Sequence, residues 1–169
     1  LDAIAGFLMQ KEYISRQGHA RILAELSRLR SVERPRIVDE VAAAAAQGDR
    51  SENAEYIYGK KKLREIDRRT RFLEKRLELL TPVDVDAPRA SERCFFGAWV
   101  TLEDEDGALL TLRILGPDET DADQGHISYL APMGRALLGK SLGDSFVVRS
   151  PGGERSYMVA DVQYGARVS

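Results

Sequence analysis

Two apolar stripes in the first half of this chain match each other only if the chain folds back on itself. Downstream, Leu63, Ile66, Thr70, Leu73, Leu77 and Leu80 alternate spacings of three and four, the seam of a helix packed on another helix. Upstream, Ile22, Leu26 and Leu29, then Ile37, Val41 and Ala44 or Ala45, repeat the pattern. Facing residues of an antiparallel pair have nearly constant index sums. Ile22 with Leu77, Leu26 with Leu73 and Leu29 with Thr70 all give 99, whereas Ile37 with Leu63 and Val41 with Gly59 give 100. These sums place the turn at Asp49–Arg50, and Gly48 independently supplies a helix C-terminal glycine. The shift of one falls near Pro35, where the missing amide hydrogen predicts a kink or a break. The spacing therefore predicts an antiparallel coiled-coil hairpin over roughly Ser15–Gln47 and Arg50–Leu80, about 45 Å long at 1.5 Å per residue.

At Thr81-Pro82 the helical period ends. Residues 81–90, with Pro82 and Pro88, read as a linker. Beyond them the period changes to two. Cys94–Leu102 and Ala108–Leu115 are expected strands around the turn Glu103-Asp104-Glu105-Asp106-Gly107. His126–Leu130 is a third, and Pro132–Leu138 a short helix with proline in its first turn. Asp144–Arg149 and Arg155–Tyr164 flank Pro151-Gly152-Gly153 as a further hairpin. The fold class is α+β, a helical hairpin over residues 11–80 followed by a small sheet domain over 91–169. Residues 1–10 read as an extension, either a remnant of cloning or a start placed too early, with Met9 where a native start would fit.

Charge divides at the same boundary. Residues 12–80 carry 16 basic and 12 acidic groups, and residues 81–169 carry 8 and 14, which suggests two modules with different partners. No run of 18 apolar residues exists and no basic-then-apolar leader opens the chain, so neither a membrane span nor a signal peptide is expected. The single cysteine, Cys94, excludes an internal disulfide and fits a reducing cytoplasm.

The chemistry concentrates at the turn. Asp49 and Glu52 stand three apart at the apex of the expected hairpin. One reading is a capping-box variant, with Asp49 as N-cap, Glu52 reaching back and Glu55 answering the helix dipole. The other is a carboxylate pair that binds a hard divalent cation. Two carboxylates are too few for Mg²⁺, which takes six oxygens, so a metal role requires ligands from a partner. Between residues 60 and 76 lie nine basic groups against three acids, and from Arg64 onward the basic residues fall at heptad positions b, f and g. Such a stripe is either a solvated face or a surface for phosphates, with salt-sensitive affinity. No aromatic interleaving accompanies it, Phe72 standing alone. His19 and His126 lack metal spacing, Cys94 reads as a strand-core residue, and Phe95, Phe96 and Trp99 as core or docking surface. No self-contained active site is visible.

These residues also form a recognisable set. Gly48-Asp49-Arg50-Ser51-Glu52-Asn53-Ala54-Glu55-Tyr56, Lys61-Lys62-Leu63-Arg64-Glu65-Ile66-Asp67-Arg68-Arg69, Phe95-Phe96-Gly97-Ala98-Trp99-Val100, Pro132 to Lys140, and Pro151-Gly152-Gly153-Glu154 occur in order through both halves. In them the chain resembles the bacterial Gre transcript-cleavage factors, on their GreB branch. The resemblance implies an FKBP-like second domain that docks on RNA polymerase at the rim of its secondary channel, here through Pro132, Met133 and Leu137. It implies that the coiled coil enters the channel and that Asp49 and Glu52 help hold the polymerase's second Mg²⁺ there and activate water. Lys60, Lys61, Arg64, Arg68, Arg71 and Lys75 would meet the 3′ end of backtracked nascent RNA. On this resemblance the chain is no enzyme by itself. It has no cofactor of its own beyond the shared Mg²⁺, acts as a cytoplasmic monomer and does not engage a membrane. The alternative is a polymerase-channel modulator without cleavage activity, which would require an altered tip.

Overall fold

The upstream stripe folds as two α-helices joined by one wider turn. The computed structural model describes residues 11–49 and 52–167; the expected extension and Arg50-Ser51 lie outside them. Helix α1 spans Arg16–Arg28, a π-helical turn Leu29–Glu33, and α2 Arg34–Ala45. The Arg34 amide donates to the Leu29 carbonyl, five residues back. A π turn is an α-helix with one residue inserted. That extra residue accounts for the step in index sum from 99 to 100. It lies beside Pro35, which cannot give the regular bond to the Ser31 carbonyl. The helix therefore neither breaks nor ends there; it widens locally and resumes.

Helix α3 spans Ala54–Leu79, so it starts four residues later than the periodicity predicts. Its N-cap is Asn53, whose side-chain oxygen accepts from the Tyr56 amide at 3.1 Å. The other end of the same side chain donates to the Ala44 carbonyl at 2.8 Å, tying the end of α2 to the start of α3. Ile66 and Leu73 are buried on α3, and Ile22, Leu26, Leu29, Ile37 and Ala44 are buried opposite. Val41 packs so closely on Gly59 that a Cβ there would stand 2.5 Å from Val41 Cγ2, as the index sum requires. Arg34–Asp67 at 2.9 Å, Glu25–Arg69 at 2.7 Å and Arg30–Glu74 bridge the hairpin. Exposed pairs of this kind contribute at most about 1 kcal/mol each. The apolar seam holds the hairpin and sets its register, and the ion pairs agree with that register. Asn53→Ala should cost about 1–2 kcal/mol, since it removes a cap and a turn-closing bond together. Denaturant unfolding followed by helical circular dichroism measures this.

The second unit comprises residues 11–18 and 81–167. Its main sheet has the order β5-β4-β3-β7-β6. The strands are β3 Trp99–Asp104, β4 Leu109–Leu115, β5 His126–Ser128, β6 Ser145–Ser150 and β7 Gly153–Gln163. Neighbours run antiparallel except the parallel pair β4–β5. Val100, Leu102, Ile114 and Val159 point to one face, where Cys94 and Leu137 of helix α4 (Pro132–Leu137) complete a fully buried core. The first long strand begins at Trp99, not at Cys94. Before it the backbone turns at Gly97 (φ 90°), and Cys94 instead exchanges bonds of 2.7 Å with Lys140 and Gly139.

Two further segments differ from the sequence expectation. Residues 12–15, expected within the hairpin module, form strand β1, paired with β2 (Leu80–Val83), and Ile14 and Ser15 are buried in the second unit. The Ser15 amide and hydroxyl donate to Glu119, a carboxylate only 4% exposed, which also accepts from the Gly116 amide at 3.2 Å. The stretch expected as a linker is not a free tether. Val85 is buried beneath Gly97, Asp86 accepts from the buried Arg113 at 2.9 Å, and the Arg89 guanidinium lies over the Phe95 and Tyr164 rings.

Candidate functional site

Between α2 and α3 the chain presents Asp49 and Glu52, both exposed. Because Asn53 caps α3, Asp49 is not its N-cap, and the capping-box reading is corrected. Glu52 immediately precedes the cap, and only Glu55 sits in the first helical turn, where a carboxylate suits the positive end of the helix dipole. Exposed carboxylates are the hard oxygen donors that Mg²⁺ takes, one or two at a time, with water and phosphate filling the rest. Among the described residues no three His, Cys, Asp or Glu groups stand close enough to hold an ion.

Apart from Arg76, the cations of α3 divide into two sets. Lys62 is paired to Glu65 at 3.7 Å, and Arg69 forks onto Glu25 at 2.7 and 3.0 Å. Those forked bonds hold the Glu25 carboxyl below its ordinary 4.5, against a smaller opposing effect of burial. Lys60, Lys61, Arg64, Arg68, Arg71 and Lys75 are exposed and, among the described residues, join no ion pair. At 3.6 residues per turn these six share an arc of about 100° on α3. The acids interspersed in sequence, Asp67 and Glu74, are directed to Arg34 and Arg30 across the hairpin. The arc therefore keeps its positive charge.

In the second unit the expected docking trio separates. Pro132 is exposed and Met133 half-buried, but Leu137 is 0% exposed and belongs to the core. Leu137 cannot touch a partner; it seats the helix that carries the other two. The four-residue spacing of Met133 and Leu137, which puts both on one helix face, was the available signal. Sequence reasoning missed the neighbouring apolar cleft of about 470 Å³, lined by Tyr13, Arg89, Phe95, Phe96, Tyr129 and Leu138. Its walls come from β1, the residue 81–90 stretch, the turn before β3 and the residues just after β5 and α4, which no local pattern joins. Cys94 is buried, and burial pushes its thiol up to about 11, so it is not a thiolate nucleophile at neutral pH.

Two family models cover the chain: "Transcription elongation factor, N-terminal" over residues 12–81, and "Transcription elongation factor, GreA/GreB, C-term" over residues 89–164. Transcription elongation factor GreB of Pseudomonas aeruginosa is 54% identical over 151 residues, 89% of this chain and 89% of its own length. That of Xanthomonas axonopodis pv. citri is 54% identical over 154 residues, 90% of this chain and 91% of its own. A solved structure of the transcription factor Gfh1 aligns with 92% of this chain and 99% of its own at 23% identity, with a TM-score of 0.44. With both family models matched in order and such identity along nearly the whole chain, this protein belongs to the GreA/GreB family of bacterial transcription elongation factors, on its GreB side.

Proposed function

We propose that this protein binds RNA polymerase and stimulates the polymerase's own cleavage of the 3′ end of backtracked nascent RNA, returning arrested complexes to elongation. The observation that carries the reading is the tip. Asn53 performs the capping, so the Asp49–Glu52 pair is not explained by the helix start and stands exposed at the apex. Asp49 and Glu52 would hold a Mg²⁺ ion jointly with the polymerase. Such an ion, in a two-metal site, stabilises the attacking and leaving oxygens of phosphodiester hydrolysis. The chain's own contribution is to orient these carboxylates and to align water beside them. It is thus a factor and not an enzyme, and it lends ligands rather than keeping a cofactor. The intact acid pair disfavours a modulator without cleavage.

The six uncompensated cations of α3 contact the extruded RNA. The second unit, a five-stranded sheet with a short helix, is FKBP-like and docks on the polymerase through Pro132, Met133 and the rim of the adjoining cleft. The chain works as a single copy, in the cytoplasm with its polymerase; among the described residues no helix is long and apolar enough to cross a membrane. The test is direct. Stalled complexes carrying 5′-labelled RNA should shorten that RNA in Mg²⁺ when the protein is added and then resume elongation. Unshortened RNA with the protein bound would overturn the reading.

Changing Arg64, Arg68, Arg71 and Lys75 together to Gln leaves the seam intact and keeps helix propensity nearly unchanged. The expected result is weaker crosslinking of extruded 3′ RNA, and a salt dependence of binding flattened by up to about four phosphate contacts. A salt series of crosslinking yields measures it.

A further inference from the structure

Phe72 breaks the pattern of its helix. It lies outside the buried seam, and its side chain is 49% exposed. On the helical wheel it borders the uncompensated cations, with Lys61, Arg68 and Lys75 within about 60° on one side. On its other side Arg69 lies over the ring, 5.3 Å from its centroid. That guanidinium is held in place from α1 by its fork onto Glu25. Among the described residues no other ring or cation stacks on Phe72. An exposed phenyl ring braced on one side and bordered by free cations is the pairing that single-stranded nucleic acid uses. The cations follow the phosphates, and the ring takes a base regardless of its identity. A protein partner is disfavoured because its apolar anchor would be accompanied by several unpaired positive charges.

We propose that Phe72 is a base-stacking platform for the extruded RNA, a subsite that engages only RNA long enough to reach it. The proposal rests on the RNA-binding reading of the basic face. Its reach is set by the helix: Phe72 is eighteen residues beyond the start of α3 at Ala54, about 27 Å at 1.5 Å per residue. A stacked strand rises about 3.4 Å per nucleotide, so roughly eight extruded nucleotides bring a base to the ring, and fewer if the strand is extended. The platform thus makes the factor sensitive to how far the polymerase has backtracked.

The experiment compares Phe72→Ala, Phe72→Trp and the four-site Gln variant, all full length, on complexes backtracked by two to three or by ten or more nucleotides. Phe72→Ala should leave short-fragment cleavage at the parent rate. On deeply backtracked complexes it should raise the factor concentration for half-maximal cleavage roughly 5- to 150-fold, the range of one lost base stack. Phe72→Trp should restore it. The salt dependence should match the parent in Phe72→Ala and flatten in the Gln variant. Parent-like cleavage of deep complexes by Phe72→Ala, equal loss at both depths, or no recovery with Trp would each overturn the platform. If the Gln variant alone loses deep cleavage, the basic face still binds RNA and only the platform fails. If neither variant loses it, the RNA-binding reading fails with it.

Discussion

Asp49→Asn with Glu52→Gln is expected to abolish stimulated RNA cleavage while leaving polymerase binding and the fold in place. Both changes preserve size and an oxygen acceptor, and remove only the charge. Both side chains are exposed, and neither caps α3, because Asn53 does. Because each replacement keeps an acceptor oxygen, the loss of stability should stay at about 1 kcal/mol or less. Cleavage should fall by two orders of magnitude or more, the scale on which an electrostatic group at a reacting centre contributes. Competition with labelled parent protein for polymerase, alongside the cleavage assay, separates the two quantities. Asn53→Ala supplies the converse control, since it should lower stability more than the acid pair does while retaining both carboxylates.

The largest effect on stability should come from Glu119. Glu119→Ala leaves the Ser15 amide, the Ser15 hydroxyl and the Gly116 amide buried without their acceptor. Each buried donor left unmet costs about 1–3 kcal/mol, so a loss of about 3 kcal/mol or more is expected. Glu119→Gln keeps one acceptor oxygen and should fall between Ala and the parent. A fragment of residues 81–169 suffers the complementary defect. It keeps the carboxylate and loses both Ser15 donors together with β1 and the buried Ile14. Such a fragment should melt well below the second unit of the whole chain, and residues 11–18 added back through a short linker should raise it. A fragment as stable as the intact unit would show that Ser15–Glu119 contributes nothing.

What the sequence disclosed and what it hid follow one physical division. Helical pairing is periodic, so Val41 against Gly59 could be named from indices alone, and even the inserted residue of the π turn left its trace as a step of one in those sums. The strand order could not be read, because β3 lies between β4 and β7 and no repeat encodes that pairing. Ser15 and Glu119 are 104 positions apart, and the Asp86–Arg113 pair is 27 apart. Neither contact has a local signature, so pattern alone assigns residues 12–15 to the hairpin and residues 81–90 to a linker. At the tip, the residue types suggested the chemistry, but the capping alternative could be removed only by seeing Asn53 bond to Tyr56 and Ala44. On α3 the charges were countable in sequence. Which of them are neutralised depends on α1, the π turn and α2, where Glu25, Arg30 and Arg34 meet Arg69, Glu74 and Asp67.

The central claim is that Asp49 and Glu52 complete a Mg²⁺ site that the polymerase half-builds. The measurement closest to it is the single-turnover rate of RNA cleavage in one backtracked complex, followed across a Mg²⁺ titration. It is made with polymerase alone, with the parent protein and with Asp49→Asn/Glu52→Gln at saturating concentration. The parent should move the half-maximal Mg²⁺ concentration to a lower value as well as raise the rate, and the double variant should leave it where polymerase alone has it. A parent protein that accelerates cleavage without moving that midpoint, or a variant that moves it as far as the parent does, would contradict the claim.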